Sequence, residues 1–313
     1  MSRWLIKAAV QGAISLTPMK QQLNTLLQRR VSRSYDLTEA VFSEKLAAAQ
    51  QHYCNAAEFV GGPVDRARAL EIGTGWHPVV PVSLAACGWH VTTIDISPLM
   101  TLETLSAVVD RFVAAEDAGT LPNLLPGVSP DGVARLRSAQ QFIRGSGTHT
   151  LALNTAADIL GITVVVGDVG EISLAPVDLV VSNNTFEHIP PDLLLTLLQT
   201  CRAHLAAGGV MSHFIDLRDH YSYVDASVSP LNYLRFSSGR WRWLNNSLHY
   251  QNRLRPSAYL ALHEAAGLRV VDSRPELAPL AELARVQVAP EFQGCAPDEL
   301  RTLSLWVVST HQP

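Results

Sequence analysis

From residue 68 onward, short runs of consecutive apolar residues alternate with segments whose apolar positions recur at helical spacing. "RALEIG" (68–73) is an apolar run closed by glycine, "PVVPVSLAACG" (78–88) reads as a helix with Gly88 just past its end, and "HVTTIDIS" (90–97) is β-branched around Asp95. These three make one βαβ unit. Residues 98–160 predict a helical region longer than an ordinary crossover, broken at "GTLPNLLPGVSPDG" by glycine and proline, and so read as an insertion. Alternation resumes with strands "ITVVVGD" (162–168) and "VDLVVSNN" (177–184), a helix over 190–209 opened by proline and closed by glycines, and strand "VMSHFIDL" (210–217). A second excursion, 217–255, is rich in aromatic residues and arginine. A helix over 256–267, strand "LRVVDSR" (268–274), a Pro-rich connection and strand "LSLWVVST" (303–310) complete the chain.

The count gives seven strands. Their apolar, barely alternating character argues for a mostly parallel sheet covered by helices on both faces. No strong amphipathic helix joins the last two strands, so the final strand is expected to enter antiparallel. The chain divides into an N-terminal helical extension, 1–60, and a catalytic domain, 61–313, carrying insertions at about 98–160 and 217–255.

With 313 residues, 47% of them hydrophobic, the chain buries a large core and reads as a globular protein. A net charge of −4 gives no general electrostatic attraction to nucleic acid, which is disfavoured as a partner. Cys54, Cys87, Cys201 and Cys295 are scattered, without CxxC pairs or histidines at ligand spacing. This excludes a disulfide framework or zinc site of the usual kind and fits a reducing cytoplasm. Residues 1–33 hold Arg3, Lys7, Lys20, Arg29, Arg30 and Arg33, with no acid before Asp36. This basic, amphipathic stretch is too short and interrupted to span a bilayer; it reads as a helical flap, with a peripheral membrane anchor second and a transit peptide third.

Ligands of such sheets sit beyond the carboxyl ends of the strands. In "LEIGTGWHP", Gly73 and Gly75 permit a tight turn and close backbone approach, and Asp95, some twenty residues later, is placed to accept hydrogen bonds from two ribose hydroxyls. A dinucleotide turn requires a third glycine and a helix start facing pyrophosphate, whereas here Trp76, His77 and Pro78 intervene. Glu71 would repel pyrophosphate and tolerate a cation; a sulfonium with an amino group, as in S-adenosylmethionine, suits the turn better than a nicotinamide dinucleotide.

Several segments in register then resemble the class I S-adenosylmethionine-dependent methyltransferases. "LEIGTGW", with Glu71, Gly73, Thr74, Gly75 and Trp76, resembles the first motif of that family; Asp95 with Ile96 matches the ribose-binding acid and its neighbour; Gly167 and Asp168 match the pair bordering adenine; and "SNNTFEHIP", with Asn183 and Asn184, resembles the segment lining the methionine moiety. The resemblance implies a Rossmann-like seven-stranded sheet with an antiparallel last strand, and S-adenosylmethionine as cofactor. A looser likeness of "GTGWHPVVP", "IDLRDH" and "QNRLRPS" to bacterial methyltransferases of glycan biosynthesis adds a glycan to the small-molecule acceptors expected.

Transfer to a hydroxyl needs alignment and removal of a proton. Histidine is the natural base near neutrality. The candidates are His188 in "FEHIP" and Asp216, Asp219 and His220 in "FIDLRDHY", while Glu187 is read as supporting the cofactor pocket. No metal-ligand arrangement is expected, the nearest approach to one being Asp168, Asp216 and Asp219. The interleaved Arg235, Arg240, Trp241, Arg242, Trp243, Tyr250, Arg253 and Arg255 read as a packed lid, with an RNA-stacking surface as the alternative. A catalytically inert cofactor-binding subunit and a nicotinamide oxidoreductase complete the alternatives. Ser182, Asn183 and Asn184 lack the prolines and aromatic ring that clamp planar amino groups, which argues against exocyclic-amine chemistry.

Overall fold

The computed structural model describes Trp4, Val10, Gly12 and Ile14, and residues 36–60, 67–146, 150–246, 248 and 250–312. The flap, anchor and transit readings of 1–33 lie outside the described residues, apart from those first four. Among the described residues no helix is long and apolar enough to cross a membrane.

The seven strands are β1 (Arg68–Ile72), β2 (His90–Asp95), β3 (Ile162–Val166), β4 (Val177–Asn183), β5 (Leu205–Asp216), β6 (Leu268–Leu277) and β7 (Thr302–His311). They form one sheet in the order β3-β2-β1-β4-β5-β7-β6. β1 to β5 are parallel, and β7 inserts antiparallel between β5 and β6. Strand order reverses between β1 and β4, which places a crevice at their carboxyl ends. Helices cover both faces, so β1 and β4 are buried at nearly every residue, the reason both read as unbroken apolar runs.

One core gathers α1 (Glu39–Phe59), α2 (Val79–Ala86), α3 (Leu102–Asp117), α5 (Pro130–Gly145) and α6 (Thr150–Leu160), the short α4 (Leu121–Leu124) lying between α3 and α5. The helices of 98–160 thus contribute Leu105, Val109, Phe112, Leu136 and Ala156 to the main core. The "SPDG" punctuation has a packing cause. Ser129 caps α5 and its amide donates to Ala86 O at 3.0 Å, bringing Gly132 so near that a Cβ there would lie 1.9 Å from the same oxygen. α1 is pinned across the sheet by His52 and Asn55, whose side chains meet Ser212 Oγ of β5 at 2.8 and 2.9 Å. The other face holds α7 (Pro191–His204) and α9 (Pro256–Ala265).

Two boundaries differ from the sequence reading. β5 begins at Leu205, within the expected helix end: Leu205 pairs with Val177, the register slips, and Gly208 at φ +80° accommodates the irregularity. β6 runs through Pro275 to Leu277, because an edge strand has no ladder partner for the missing N–H. The connection to β7 holds only the short α10 (Leu280–Ala284) and α11 (Pro297–Arg301).

The 217–255 excursion folds around a third core with Tyr221, Tyr233 and Trp241, and contains α8 (Ser238–Leu244). Arg255, 4% exposed, donates to the carbonyls of Glu299, Leu300 and Thr302, and Arg253 lies over the rings of Trp241 and Phe292 at 5.5 and 4.9 Å. These residues hold the excursion together. Arg235, Arg240, Arg242 and Trp243 are exposed.

Candidate functional site

The loop after β1 is shaped by close contacts on both sides. Gly73, at φ +78°, donates its amide to Ile94 O at 2.8 Å, and a Cβ there would lie 2.5 Å from both Cγ2 and Oγ1 of Thr185. Gly75, at φ +66°, faces open space, and its amide donates to Asp95 Oδ2 at 3.1 Å. Asp95 Oδ1 accepts from Ser97 N at 3.0 Å. Each carboxylate oxygen has two acceptor sites, so Asp95 is positioned by the backbone and still has capacity for two hydroxyls. Trp76 is half-buried while His77 and Pro78 are buried, seating the loop at the start of α2.

Beneath the loop, Glu71 is 3% exposed and accepts from Thr93 Oγ1 at 2.7 Å, while Thr74 Oγ1 contacts the same hydroxyl. Burial raises the Glu71 pKa against those hydrogen bonds and the charge of Lys45. Lys45, from α1, is lowered in turn by burial against the pull of Glu71. Sequence reasoning missed Lys45 and Thr93; Thr93 carried a signal, being paired beside Glu71 in adjacent strands.

Along the rim, Gly167 N donates to Asp95 O at 3.0 Å. Asp168 is exposed and accepts from Gly170 N at 2.8 Å, and Ile96 is 85% exposed. At the end of β4, Asn183 is buried and Asn184 adopts φ +51°, a left-handed conformation that asparagine tolerates better than most residues. The side-chain oxygens of both are buried without a hydrogen-bond partner among the described residues. Acceptors without donors at the carboxyl end of β4, two strands from a doubly amide-held carboxylate at the end of β2, fit an adenosyl ligand that ends in an ammonium group.

Across the crevice, the ends of β4 and β5 bring the titratable candidates together. Asp216 Oδ2 lies 3.2 Å from His220 Nε2 and accepts from Tyr223 Oη at 2.7 Å, and Asp216 Oδ1 accepts from Arg218 N at 3.1 Å. Burial works to raise its pKa, but the His220 hydrogen bond and charge, with Tyr223 and the Arg218 amide, outweigh it and hold Asp216 below the usual carboxylate range. The rings of His188 and His220 are 5.0 Å apart. His188 Nδ1 lies 2.8 Å from Tyr250 O; a carbonyl only accepts, so Nδ1 carries the proton and Nε2 keeps its lone pair. The His188 pKa is lowered by desolvation, then by the charge of His220. Asn252 fixes the turn Phe186–His188 by donating to Phe186 O, Ile189 O and Glu187 O at 2.8, 2.9 and 2.7 Å. Asn252 and Tyr250 lie more than sixty residues from their targets, Tyr250 having been read only as part of a packed lid, and Tyr223, seven residues from Asp216, carries no motif.

Asp219 does not join the cluster. It is fully buried, accepts from Tyr221 N and Asn232 Nδ2 at 2.9 and 2.8 Å, and so acts as a cap. Nor can Asp168, Asp216 and Asp219 combine: β3 and β5 are four strand spacings apart in the sheet, roughly 19 Å at about 4.8 Å each. The donor group that the fold does assemble is Glu187, His188 and His220, with ligand atoms within 4.8 Å of one another.

A family model described as a methyltransferase domain matches residues 44–273. No curated protein matches the chain. Among solved structures, the CcbJ methyltransferase from Streptomyces caelestis is similar at 13% identity, covering 84% of this chain and 95% of that one, with a TM-score of 0.45. A S-adenosylmethionine-dependent methyltransferase from Clostridium acetobutylicum is similar at 10% identity, covering 94% and 99%, with a TM-score of 0.42. The family match spans most of the chain, including both carboxyl-end loops and the β4 and β5 termini, and the chain accordingly belongs to the class I S-adenosylmethionine-dependent methyltransferases.

Proposed function

We propose that this methyltransferase transfers the methyl group of S-adenosylmethionine to an oxygen of a small molecule or glycan, with His220, His188 and Asp216 forming the proton-withdrawing end of the crevice. One observation carries the reading: at the ends of β4 and β5 an ionised Asp216 polarises His220, 5.0 Å from a second histidine whose Nε2 keeps its lone pair. Acceptors of that kind suit a hydroxyl, which must lose a proton as it is methylated. The Ser182-Asn183-Asn184 terminus, lacking prolines and an aromatic clamp, supports oxygen over a planar amine.

The cofactor supplies an electrophilic methyl on a sulfonium centre. In this reading Asp95 holds the ribose hydroxyls, and Ile96, Gly167 and Asp168 border the adenine. Gly73, Thr74, Gly75 and Trp76 form the floor, while Asn183, Asn184 and Glu71 face the amino-acid end. Residues 61–313 form the catalytic domain, with α1 of the 1–60 segment packed into its core, in a cytoplasmic setting. Incubation with labelled cofactor and a panel of hydroxylated small molecules and glycans, using His220→Ala as control, tests the assignment. Methyl ethers formed by the wild type and lost in the variant are expected, and exclusive N-methylation would overturn it.

A further inference from the structure

Glu187 is 1% exposed, and neither of its carboxylate oxygens has a hydrogen-bond partner among the described residues. Its own amide and that of Asp216 lean toward it without reaching hydrogen-bond geometry. Burial, and then the charge of Asp216, push its pKa well above the usual carboxylate range, and His188 Nε2 lies 4.0 Å from Glu187 Oε1. That nitrogen is the one left with a lone pair, because Nδ1 donates to Tyr250 O. Unless the Glu187 carboxyl keeps a proton, two acceptors therefore face each other inside the protein, and His220 adds a third ligand atom, all three lying within 4.8 Å of one another. No arginine or lysine pairs with Glu187 among the described residues, and the guanidinium of Arg218 is engaged by Tyr223 and Glu276.

We propose that Glu187, His188 and His220 form a binding site for a divalent first-row transition cation. Metal–nitrogen and metal–oxygen bonds near 2.0–2.2 Å put two ligands of one ion about 3 to 4.2 Å apart, so the 4.0 Å between His188 and Glu187 is already in range. Gathering all three ligand atoms, within 4.8 Å of one another, needs only a small inward shift of side chains such as the half-exposed His188. Histidine ligands hand their other ring N–H to a carbonyl or carboxylate, and both partners stand in place: Tyr250 O at 2.8 Å from His188, and Asp216 at 3.2 Å from His220. Two nitrogens and a carboxylate favour Zn²⁺ or Mn²⁺ over Ca²⁺, which takes six to eight oxygens. The exposed side of His188 leaves the ion open toward the crevice. On the acceptor reading given above, a hydroxyl entering there would bind the ion through oxygen and lose its proton more easily, with the histidines acting as ligands in the loaded protein.

The test is calorimetric titration of chelator-treated full-length protein with Zn²⁺ and, separately, Mn²⁺, alongside Glu187→Gln and His188→Gln, with thermal melts to confirm folding. Saturable binding of one ion per chain is expected, weakened by about tenfold or more in either variant. Absence of saturable binding by the wild type, or affinity unchanged in the folded variants, would overturn the site. Should Glu187→Gln fail to fold, the half-exposed His188→Gln decides. S-adenosylhomocysteine binding, measured on the same samples, keeps this outcome separate from the methyltransferase assignment.

Discussion

The amide of Gly75 donates to Asp95 Oδ2 at 3.1 Å, which couples the loop after β1 to the tip of β2. The carboxylate is thereby aimed, and on the proposed reading its loss removes two charge-assisted hydrogen bonds to the ribose, each of about 1.5–3 kcal/mol. Asp95→Ala should weaken S-adenosylhomocysteine binding by about a hundredfold or more in calorimetry. Asp95→Asn should fall between the variant and the wild type. Unchanged affinity in both would show that the ribose lies elsewhere.

Gly73 and Gly75 should respond differently to alanine. At position 73 a Cβ meets Thr185, whose hydroxyl is bonded to Ile72 O and Asn183 O at 3.2 Å each, so Gly73→Ala should lower the melting temperature by several degrees. Adding Thr185→Gly should recover the steric part, leaving the roughly 1–2 kcal/mol left-handed backbone cost together with the loss of the Thr185 hydroxyl bonds. Gly75→Ala meets nothing within 4 Å, so it should cost only that backbone term while, on the proposed reading, reducing cofactor affinity by filling the space the ligand would enter. Equal melting temperatures for the two alanine variants would contradict the packing account.

Asp216 and His220 should behave as a pair. Asp216→Asn removes the charge that orients and polarises the imidazole, and the turnover number should fall by about 10²- to 10⁴-fold with cofactor affinity unchanged. His220→Ala combined with Asp216→Asn should be little worse than either alone. Additive losses in the double variant would separate the two residues.

Acid should unfold this protein through its core histidines. His52, His213 and His263 are fully buried, each with Nδ1 on a serine hydroxyl and Nε2 without a partner among the described residues. Burial pushes His52 down to about 3 and His263 to about 4; His213 falls well below its usual value through burial and the two neighbouring histidines. Near pH 7 both folded and unfolded chains leave these rings neutral. Below about 6.5 only the unfolded chain takes up protons, so stability drops by up to about 1.4 kcal/mol per pH unit for each ring, roughly 4 for the three. The loss continues until pH approaches the depressed folded values. Denaturant melts from pH 7.5 to 5 should show this slope, and His52→Gln should reduce it by about one third; a flat profile would show that the rings protonate within the fold.

The sheet and the residues gathered at its carboxyl ends were legible because their signals are local. A parallel strand buried on both faces is an unbroken apolar run, and Gly73, Gly75 and Asp95 act within or beside the strand that carries them. Even so, the start of β5 and the end of β6 were misread: "LAAGG" continues a helical pattern, and Pro275 looks like a terminator until its strand is known to be an edge.

The chain by itself thus determined a seven-stranded sheet, the glycine loop after β1 and the two segments that bear His188 and His220. Only tertiary structure decided which acids stand beside them, because the order β1-β4-β5 brings Glu187, His188, Asp216 and His220 together while Asp168 is carried to the far side of the sheet and Asp219 is consumed as a cap. Strand adjacency is a long-range choice made by burial of both sheet faces. Residue spacing records neighbours along the backbone and holds no measure of distance across it.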